Sequence, residues 1–289
     1  MEERDWLMLR TLYQHKNITK TARSLYVSQP ALTNRLRQIE KEFGVTIVYR
    51  GTKGVEFTPQ GEYLVKCAEE MLRKIRTIKE NLANMDSVPR GTLRLGVSSF
   101  IARYKLPGLL KLFKDKYPHV EFQIYTGWSR DVLEKLNSQE VHIGFVKGEY
   151  PWADQKLHFL KEKVYLVSKE EIRPDELPAL ARIEYQTDSQ LKSLIDHWWA
   201  NHYQAPPFIG MEVDNVDTCK EMVANGLGYA ILPGSVLTHT TGLHCTELRD
   251  LQGEPVYRST WMLFRGESLK LHAVKAFVDF ISETVKTEG

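Results

Sequence analysis

Apolar side chains near the start of the chain recur at three- and four-residue steps, which is the spacing of one helix face. Trp6, Leu9 and Leu12 predict a first helix over residues 3–15. Residues 18–27 predict a second, shorter helix, and we expect three of its side chains to face inward: Ala22, Leu25 and Tyr26. The N-terminus therefore predicts two consecutive helices that share one small core.

A third helix is expected to follow a tight turn at Val27 and Ser28. Ser28 can cap this helix and Pro30 can occupy its first turn, where a missing backbone N–H costs nothing. Leu32 and Leu36 continue the inward face, while the outward side chains can read base edges in a DNA major groove. The candidate DNA-binding residues of this helix are Ser28, Gln29, Pro30, Thr33, Asn34 and Arg35. The two helices predict a helix-turn-helix, although such a polar face can also be merely solvated.

Residues 46–50 and 55–57 flank a glycine-containing turn and predict a two-stranded hairpin, or wing. Arg50 at its base and Lys53 at its tip are placed to contact phosphate or the minor groove, which positions a protein without specifying sequence. Lys53 can equally be a solvated tip residue. Residues 1–60 hold ten Lys or Arg against six Asp or Glu, so this end carries +4 in a chain of net charge +2. This surplus favours phosphate contact.

The helical pattern of residues 59–85 continues without a break, and their apolar positions alternate four- and three-residue steps. This seam consists of Leu64, Ala68, Met71, Ile75, Ile78, Leu82 and Met85. So narrow a seam is typical of a helix that pairs with another helix, and we predict that it joins two subunits. A dimer would present two recognition helices to the half-sites of an inverted repeat. The alternative is that this helix packs against its own domain. The length of the helix and the charged residues beside the seam disfavour this alternative.

The pattern changes after the segment 87–91, whose proline and glycine predict a domain boundary. Strands at residues 92–97, 120–125 and 141–146 then alternate with helices, an order that implies a parallel sheet covered on both faces. A second set of strands and helices begins at residue 164, and an amphipathic helix ends the chain. The predicted fold class is α/β with an N-terminal all-α, winged helix-turn-helix domain.

Ligands of parallel sheets bind beyond the carboxyl ends of the strands, where helix N-termini offer free N–H groups. The loops predicted at those ends carry small polar side chains, together with two cations, Lys147 and Arg258. The candidate ligand-binding residues are Ser98, Ser99, Phe100, Trp128, Ser129, Lys147, Gln186, Thr218 and Arg258. Such a cleft suits a small anionic molecule, most naturally a carboxylate. The serines can also be plain helix caps, and Arg258 can belong to a surface salt bridge.

Composition narrows the class of protein. The 289 residues are 42% hydrophobic and 26% charged, as in a globular protein with more than one core. No apolar run approaches a membrane span, and acids at residues 2–5 do not fit a signal peptide, so we expect a cytoplasmic protein. Three cysteines without C-x-x-C spacing predict neither disulfides nor a zinc site. No hydrolase, zinc-protease or phosphate-loop motif occurs, so we predict no catalytic residues, metal or cofactor.

Residues 22–61 carry a specific set of motifs: A-x-x-L, SQPALT, IEKEFG and TPQG. With them the chain resembles the LysR-type transcriptional regulators over its whole length. Ile47-Val48 replaces the usual Leu-Phe and Gln60 replaces Ala, and both changes preserve the local structure. The resemblance implies a periplasmic-binding-protein-like sensor of two Rossmann-like halves, with chain crossings near residues 158–163 and near Arg265. It also implies a homotetramer of two dimers, in which ligand closure changes the bend imposed on DNA.

The motifs and the resemblance together predict the domain organisation. The segments are a winged helix-turn-helix domain at 1–58, a linker dimerisation helix at 59–86, a hinge at 87–91, effector-binding subdomain I at 92–163 plus 266–289, and subdomain II at 164–265. The expected partners are double-stranded DNA, a small anionic effector and further copies of the chain, with no membrane.

The second half resembles a narrower subgroup, the citrate-responsive catabolite regulators that control aconitase synthesis. Motifs at 126–129, 216–222, 226–233 and 257–261 carry this likeness. A di- or tricarboxylate such as citrate is therefore the leading effector candidate. Lys147 stands where the subgroup usually has an arginine, and lysine lacks the bidentate fork for a carboxylate, so the effector can be a different or smaller acid. The same regulator fold sensing an amino acid, an aromatic acid or a redox signal is the alternative. A ligand-binding module without a DNA-regulatory role is the alternative of another class.

Overall fold

The computed structural model describes residues 1–51, 54–85, 88–237 and 242–288, without the side chains of Arg50 and of residues 286–288. Lys53 and the side chain of Arg50, both predicted to contact phosphate, lie outside the described residues, as does part of the predicted 87–91 hinge. The chain divides into two compact units, Met1–Asp86 and Ser87–Gly289.

The first unit is a winged helix-turn-helix. Its elements are α1 (Glu3–His15), α2 (Ile18–Ser24), α3 (Gln29–Phe43), β1 (Val48–Gly51), β2 (Gly54–Phe57) and α4 (Pro59–Ala83). The two strands pair antiparallel, from Val48 opposite Phe57 to Gly51 opposite Gly54. Apolar side chains of α1, α3 and the segment before β1 are fully buried: Leu9, Leu12, Leu36, Ile39 and Ile47. Each such burial stabilises the unit by about 1.5–3 kcal/mol before entropic costs.

Local signals begin and end these helices. Ser28 Oγ accepts the backbone N–H of Ala31 at 3.3 Å, and Thr58 Oγ1 accepts that of Gly61 at 2.9 Å, so each caps its helix. Gly44 ends α3 with φ at 67°, a left-handed conformation that glycine adopts at little cost. The start of α3 therefore follows the sequence prediction.

Tyr26 does not face the core, in contrast to the sequence prediction. α2 ends at Ser24, and Tyr26 follows in the turn with φ at 55° and a side chain that is 97% exposed. The left-handed backbone turns Tyr26 away from Ala22, which is buried as predicted. An exposed tyrosine therefore stands in the turn that leads to α3.

α4 is buried near its start and exposed farther along. Leu64 and Ala68 pack in the core of the first unit. The later seam residues Met71, Ile78 and Leu82 are 46%, 49% and 56% exposed. The second half of the apolar seam is thus left largely uncovered by the described residues of its own unit.

The second unit alternates strands and helices. Its elements are β3 (Gly91–Ser98), α5 (Ser99–Tyr104), α6 (Leu106–Lys116), β4 (Val120–Gly127), α7 (Ser129–Asn137), β5 (Ile143–Lys147), β6 (Gln155–Ser168), β7 (Arg182–Tyr185), α8 (Ser189–His202), β8 (Ile209–Val213), α9 (Val216–Ala224), β9 (Ala230–Pro233), β10 (His244–Glu247), β11 (Tyr257–Phe264) and α10 (His272–Glu288). β3 lies between β4 and β5 and is parallel to both. α10 packs against this first half through Val274, Phe277 and Ile281.

The strand β6 links the two halves of the second unit. Its residues 155–163 pair antiparallel with β11, and residues 164–168 pair with β9 and β10. β7 and β8 form a separate parallel pair in the second half. One long strand thus runs from one half into the other.

One of the two predicted chain crossings differs in the structure. Residues 158–163, which we expected to connect the halves, lie within β6, whose pairing changes from β11 to β9 and β10 directly after Lys163. The second crossing is displaced. β11 pairs with β5 from Thr260 opposite Lys147 onward, so the return to the first half precedes Thr260 and does not lie near Arg265. A strand that continues through a crossing carries no turn signal, and periodicity therefore could not locate it.

Candidate DNA-binding surface and ligand cleft

The outer face of α3 presents polar side chains. Gln29, Pro30 and Asn34 are exposed, and Thr33 is half-buried. Thr19 of α2 donates its hydroxyl to Gln29 Oε1 at 3.1 Å, so the amide nitrogen of Gln29 keeps its N–H groups for donation. This surface has the donors and acceptors that major-groove contact requires.

Arg35, which the sequence predicts to contact DNA, is hydrogen-bonded within the protein. Its Nε and Nη2 each donate to a carboxylate oxygen of Asp5 at 2.6 Å, and Nη1 donates to Gln38 Oε1 at 3.0 Å. Asp5 is 4% exposed, and the hydrogen bond from Arg35 holds the pKa of this carboxyl below its usual value. Arg35 therefore ties the recognition helix to α1, and the structure gives it a positioning contact in place of a free outward one.

The wing is anchored beside the helices. The backbone N–H of Val55 donates to the carbonyl of Lys16 at 3.0 Å, which attaches β2 to the end of α1. Tyr49 on β1 is 63% exposed. Tyr49 and Tyr26 are thus two exposed tyrosines of this unit that the sequence patterns did not select, because apolar periodicity assigns aromatic residues to the core.

A cleft of about 450 Å³ opens in the second unit, beyond the carboxyl ends of β3, β4 and β5. Its volume falls in the range of small-molecule sites. Eight of the nine residues predicted for ligand binding line it: Ser98, Ser99, Phe100, Trp128, Ser129, Lys147, Gln186 and Arg258. Thr218 does not line the cleft. It lies in the first turn of α9, where its backbone N–H donates to Asn215 Oδ1 at 2.8 Å, and its neighbour Asp217 lines the cleft instead.

Lys147 is buried at the inner wall of this cleft. Its Nζ lies 3.1 Å from Glu162 Oε1 and 3.4 Å from the centre of the Phe100 ring. Burial lowers the pKa of Lys147 to about 8, against the opposing effect of Glu162. Glu162 also accepts the hydroxyl and the backbone N–H of Ser235. The backbone of Lys147 is fixed as well, because its N–H donates to Ser129 Oγ at 3.0 Å.

Arg258 forms a second buried ion pair in the cleft. Its Nη2 donates to Asp188, and the two side chains are 5% and 13% exposed. Asp188 also caps α8 by accepting the backbone N–H of Leu191 at 3.1 Å. The alternative that Arg258 belongs to a surface salt bridge is therefore wrong, since the pair is inside the cleft.

A third set of contacts joins the two halves across the cleft. Arg103 and Tyr104 of α5 both donate to the carboxylate of Asp217 at the start of α9, and the Tyr104 bond is 2.7 Å long. Sequence reasoning missed all three residues. No local pattern could have paired them, since more than a hundred residues separate α5 from α9.

Two buried donors of the cleft lack a hydrogen-bond partner among the described residues. They are Ser98 Oγ and Arg258 Nε, in residues that are 6% and 5% exposed. Buried polar groups are nearly always paired in native proteins, with protein groups or with ordered water, so these two donors are candidates for contact with a ligand.

Other kinds of site receive no support from the described part of the chain. Within it, no group of three or more His, Cys, Asp or Glu side chains is arranged to hold a metal ion. None of its helices combines the length and the apolar character that crossing a membrane requires. Cys67, Cys219 and Cys245 are free thiols.

A winged helix-turn-helix on a two-halved unit with a ligand-sized cleft defines a DNA-binding transcriptional regulator. Residues 4–62 match the family model of the bacterial regulatory helix-turn-helix protein, lysR family, and residues 86–286 match the LysR substrate binding domain. The chain belongs to the LysR family of transcriptional regulators and is not an enzyme.

Relatives and solved structures agree with this assignment. The chain is 41% identical over 281 residues to YraN, an uncharacterised HTH-type transcriptional regulator of Bacillus subtilis (strain 168), with 97% of each chain covered. It is 35% identical to YkuM of the same organism, over 100% of this chain and 99% of the relative. Full-length CbnR complexed with its target DNA has the same fold, with a TM-score of 0.70 and 19% identity over 98% of this chain and 100% of CbnR. AphB, a Vibrio cholerae virulence activator, has a TM-score of 0.65 and 16% identity over 98% of this chain and 99% of AphB.

Proposed function

We propose that this regulator binds an inverted-repeat promoter site as a dimer, and that two dimers form a tetramer. The uncovered seam of α4, with Met71, Ile78 and Leu82 about half exposed, supports pairing through this helix. Paired linker helices would hold two copies of α3 at a fixed separation, which an inverted repeat matches. We also propose the domain limits that the sequence predicts, with the linker helix at 59–86 as the segment that pairs the subunits.

We further propose which residues contact DNA. Gln29 and Asn34, which are exposed on α3, and the half-buried Thr33 would read base edges, while Ser28 and Pro30 would contact DNA at the start of the helix. Arg50 and Lys53 of the wing would contact phosphate. Arg35, which the sequence also nominated, would act indirectly by orienting α3 through Asp5.

Gln29→Ala tests the base-reading role of α3. Affinity for the inverted repeat should fall about tenfold to a hundredfold, because one good base contact is worth roughly 1–3 kcal/mol of discrimination. Affinity for random duplex DNA should change little. Fluorescence anisotropy with both duplexes measures the two values. Gln14→Ala, the same change at an exposed position of α1, is the matched control, and equal losses on both duplexes for Gln29→Ala would contradict the assignment.

We propose that the effector is a small carboxylate bound in the cleft. The observation that carries this proposal is the pair of unpartnered buried donors, Ser98 Oγ and Arg258 Nε. A carboxylate offers charged acceptors to both. The class includes the di- and tricarboxylates, with citrate as the candidate that the sequence favoured, and it includes amino acids and aromatic acids. Binding would bias the relative position of the two halves and thereby the bend imposed on DNA.

A further inference from the structure

Among the described residues, every cation that lines the cleft has a carboxylate partner within the protein. The three pairs are Lys147 with Glu162, Arg258 with Asp188, and Arg103 with Asp217. The sequence suggested two cations free to hold an anion, and the structure differs because their partners come from distant parts of the chain. The positive charges of the cleft wall are therefore already paired with carboxylates of the protein when an effector binds.

Asp214 is the lining carboxylate for which the described residues provide no cation. It is exposed at the cleft, and its Oδ1 accepts a hydrogen bond from the neutral amide of Asn215 at 2.9 Å. Among the described lining residues, three cations stand against three carboxylates, Asp188, Asp214 and Asp217. Because Lys147 is paired with Glu162 behind the wall, Asp214 remains a local negative charge without a paired cation. That charge attracts a cationic group and repels additional carboxylates on a ligand.

The N-terminus of α9 does not offset this charge. A helix N-terminus ordinarily attracts anions through its free N–H groups and its dipole. In this chain Asn215 already accepts the N–H of Thr218, and Asp214 and Asp217 flank the first turn. One N–H group at the positive end of α9 is thus already used within the protein, and two carboxylates of the protein lie beside that end.

The unpaired donors and the apolar lining residues of the cleft match a ligand with a carboxylate and an apolar group. Ser98 Oγ and Arg258 Nε belong to lining residues, are buried and lack a partner among the described residues, and a carboxylate is the kind of acceptor that each of them would use. Phe100, Trp128 and Val236 contribute apolar surface to the same wall. Trp128 is 51% exposed and can pack over a ligand.

We propose that the effector is a zwitterion with an apolar side chain, such as a hydrophobic amino acid. Its carboxylate accepts from Ser98 and Arg258, its ammonium group pairs with Asp214, and its side chain packs on Phe100 and Trp128. This inference rests on the proposed function and narrows the carboxylate class. It disfavours citrate, whose additional carboxylates would face Asp214 without compensating cations.

Isothermal titration of the full chain at neutral pH tests this assignment. The probes are the apolar and aromatic L-amino acids, then isocaproate and hydrocinnamate, which are leucine and phenylalanine without the amine. Isoamylamine and phenethylamine lack the carboxylate, and citrate and succinate carry additional carboxylates. Asp214→Asn is titrated beside Glu212→Gln, the same chemical change at an exposed position of β8 that does not line the cleft.

At least one amino acid should bind about ten- to a hundredfold more tightly than its amine-free acid, the range for a hydrogen bond to a charged group. Asp214→Asn should remove this preference and Glu212→Gln should keep it. If citrate, succinate or an amine-free acid binds as tightly as every amino acid, the zwitterion assignment is wrong while the carboxylate proposal stands. If no probe with a carboxylate binds at millimolar concentration, both are wrong.

Discussion

Ile78→Glu in α4 is expected to lower the affinity for an inverted-repeat duplex by about 10²–10⁴-fold, while affinity for a single half-site stays unchanged. Affinity is lost because two DNA-binding domains joined in a dimer bind a two-site duplex far more tightly than one domain binds a single site. Ile78 lies on the exposed seam between Met71 and Leu82, where a charge would be buried without a partner on pairing. Anisotropy with one-site and two-site duplexes measures the effect, and sedimentation gives the oligomeric state.

Thr77→Glu is the matched control for this experiment. It places the same charge on the neighbouring residue, which is exposed and off the seam. The control should sediment and bind like the unaltered protein. An Ile78→Glu protein that keeps both its assembly and its two-site affinity would show that α4 does not pair the subunits.

Arg258→Ala is expected to destabilise the second unit by roughly 3–5 kcal/mol, because it leaves the Asp188 carboxylate buried without a cation. The fall in Tm should be on the order of 10 °C. The same variant should lose the stabilisation that a bound acid provides, which is about 2.7 kcal/mol at a hundred times its Kd. Thermal unfolding of the full chain with and without ligand measures both effects.

Arg173→Ala provides the comparison, since Arg173 also pairs with a carboxylate but is 72% exposed. Exposed pairs contribute about 0–1 kcal/mol, so this variant should unfold close to the unaltered protein and keep its response to ligand. If Arg258→Ala unfolds at the same Tm as the unaltered protein and shows the same rise in Tm with ligand, Arg258 is not part of the ligand site.

The helical part of the fold was predictable because its signals are local. Ser28 and Thr58 cap helices directly after them, Gly44 ends α3, and the apolar steps of α4 follow one face. Each of these features depends on residues within a few positions of each other. The cleft walls were predictable for a related reason, since strand ends in a parallel sheet converge on one edge.

The features that could not be predicted depend on distant partners or on backbone conformation. Arg35 has the right position and type for base contact, yet Asp5, thirty residues earlier, binds both of its forked nitrogens. Lys147 and Arg258 line the cleft, and their carboxylate partners come from other strands and loops. Tyr26 has helical spacing, and its left-handed φ moves it outward. The periodicity of apolar residues indicates neither distant ion-pair partners nor a left-handed backbone conformation.

The salt dependence of affinity for duplex DNA tests most directly whether this chain regulates transcription by binding DNA. A regulator that places α3 and its wing on DNA releases counterions from several phosphates, so its affinity should fall about 10³–10⁵-fold between roughly 50 and 200 mM salt. The measurement uses the full chain and one inverted-repeat duplex across that range. Weak binding that does not change with salt would contradict the account and would favour a ligand-binding module without a DNA-regulatory role.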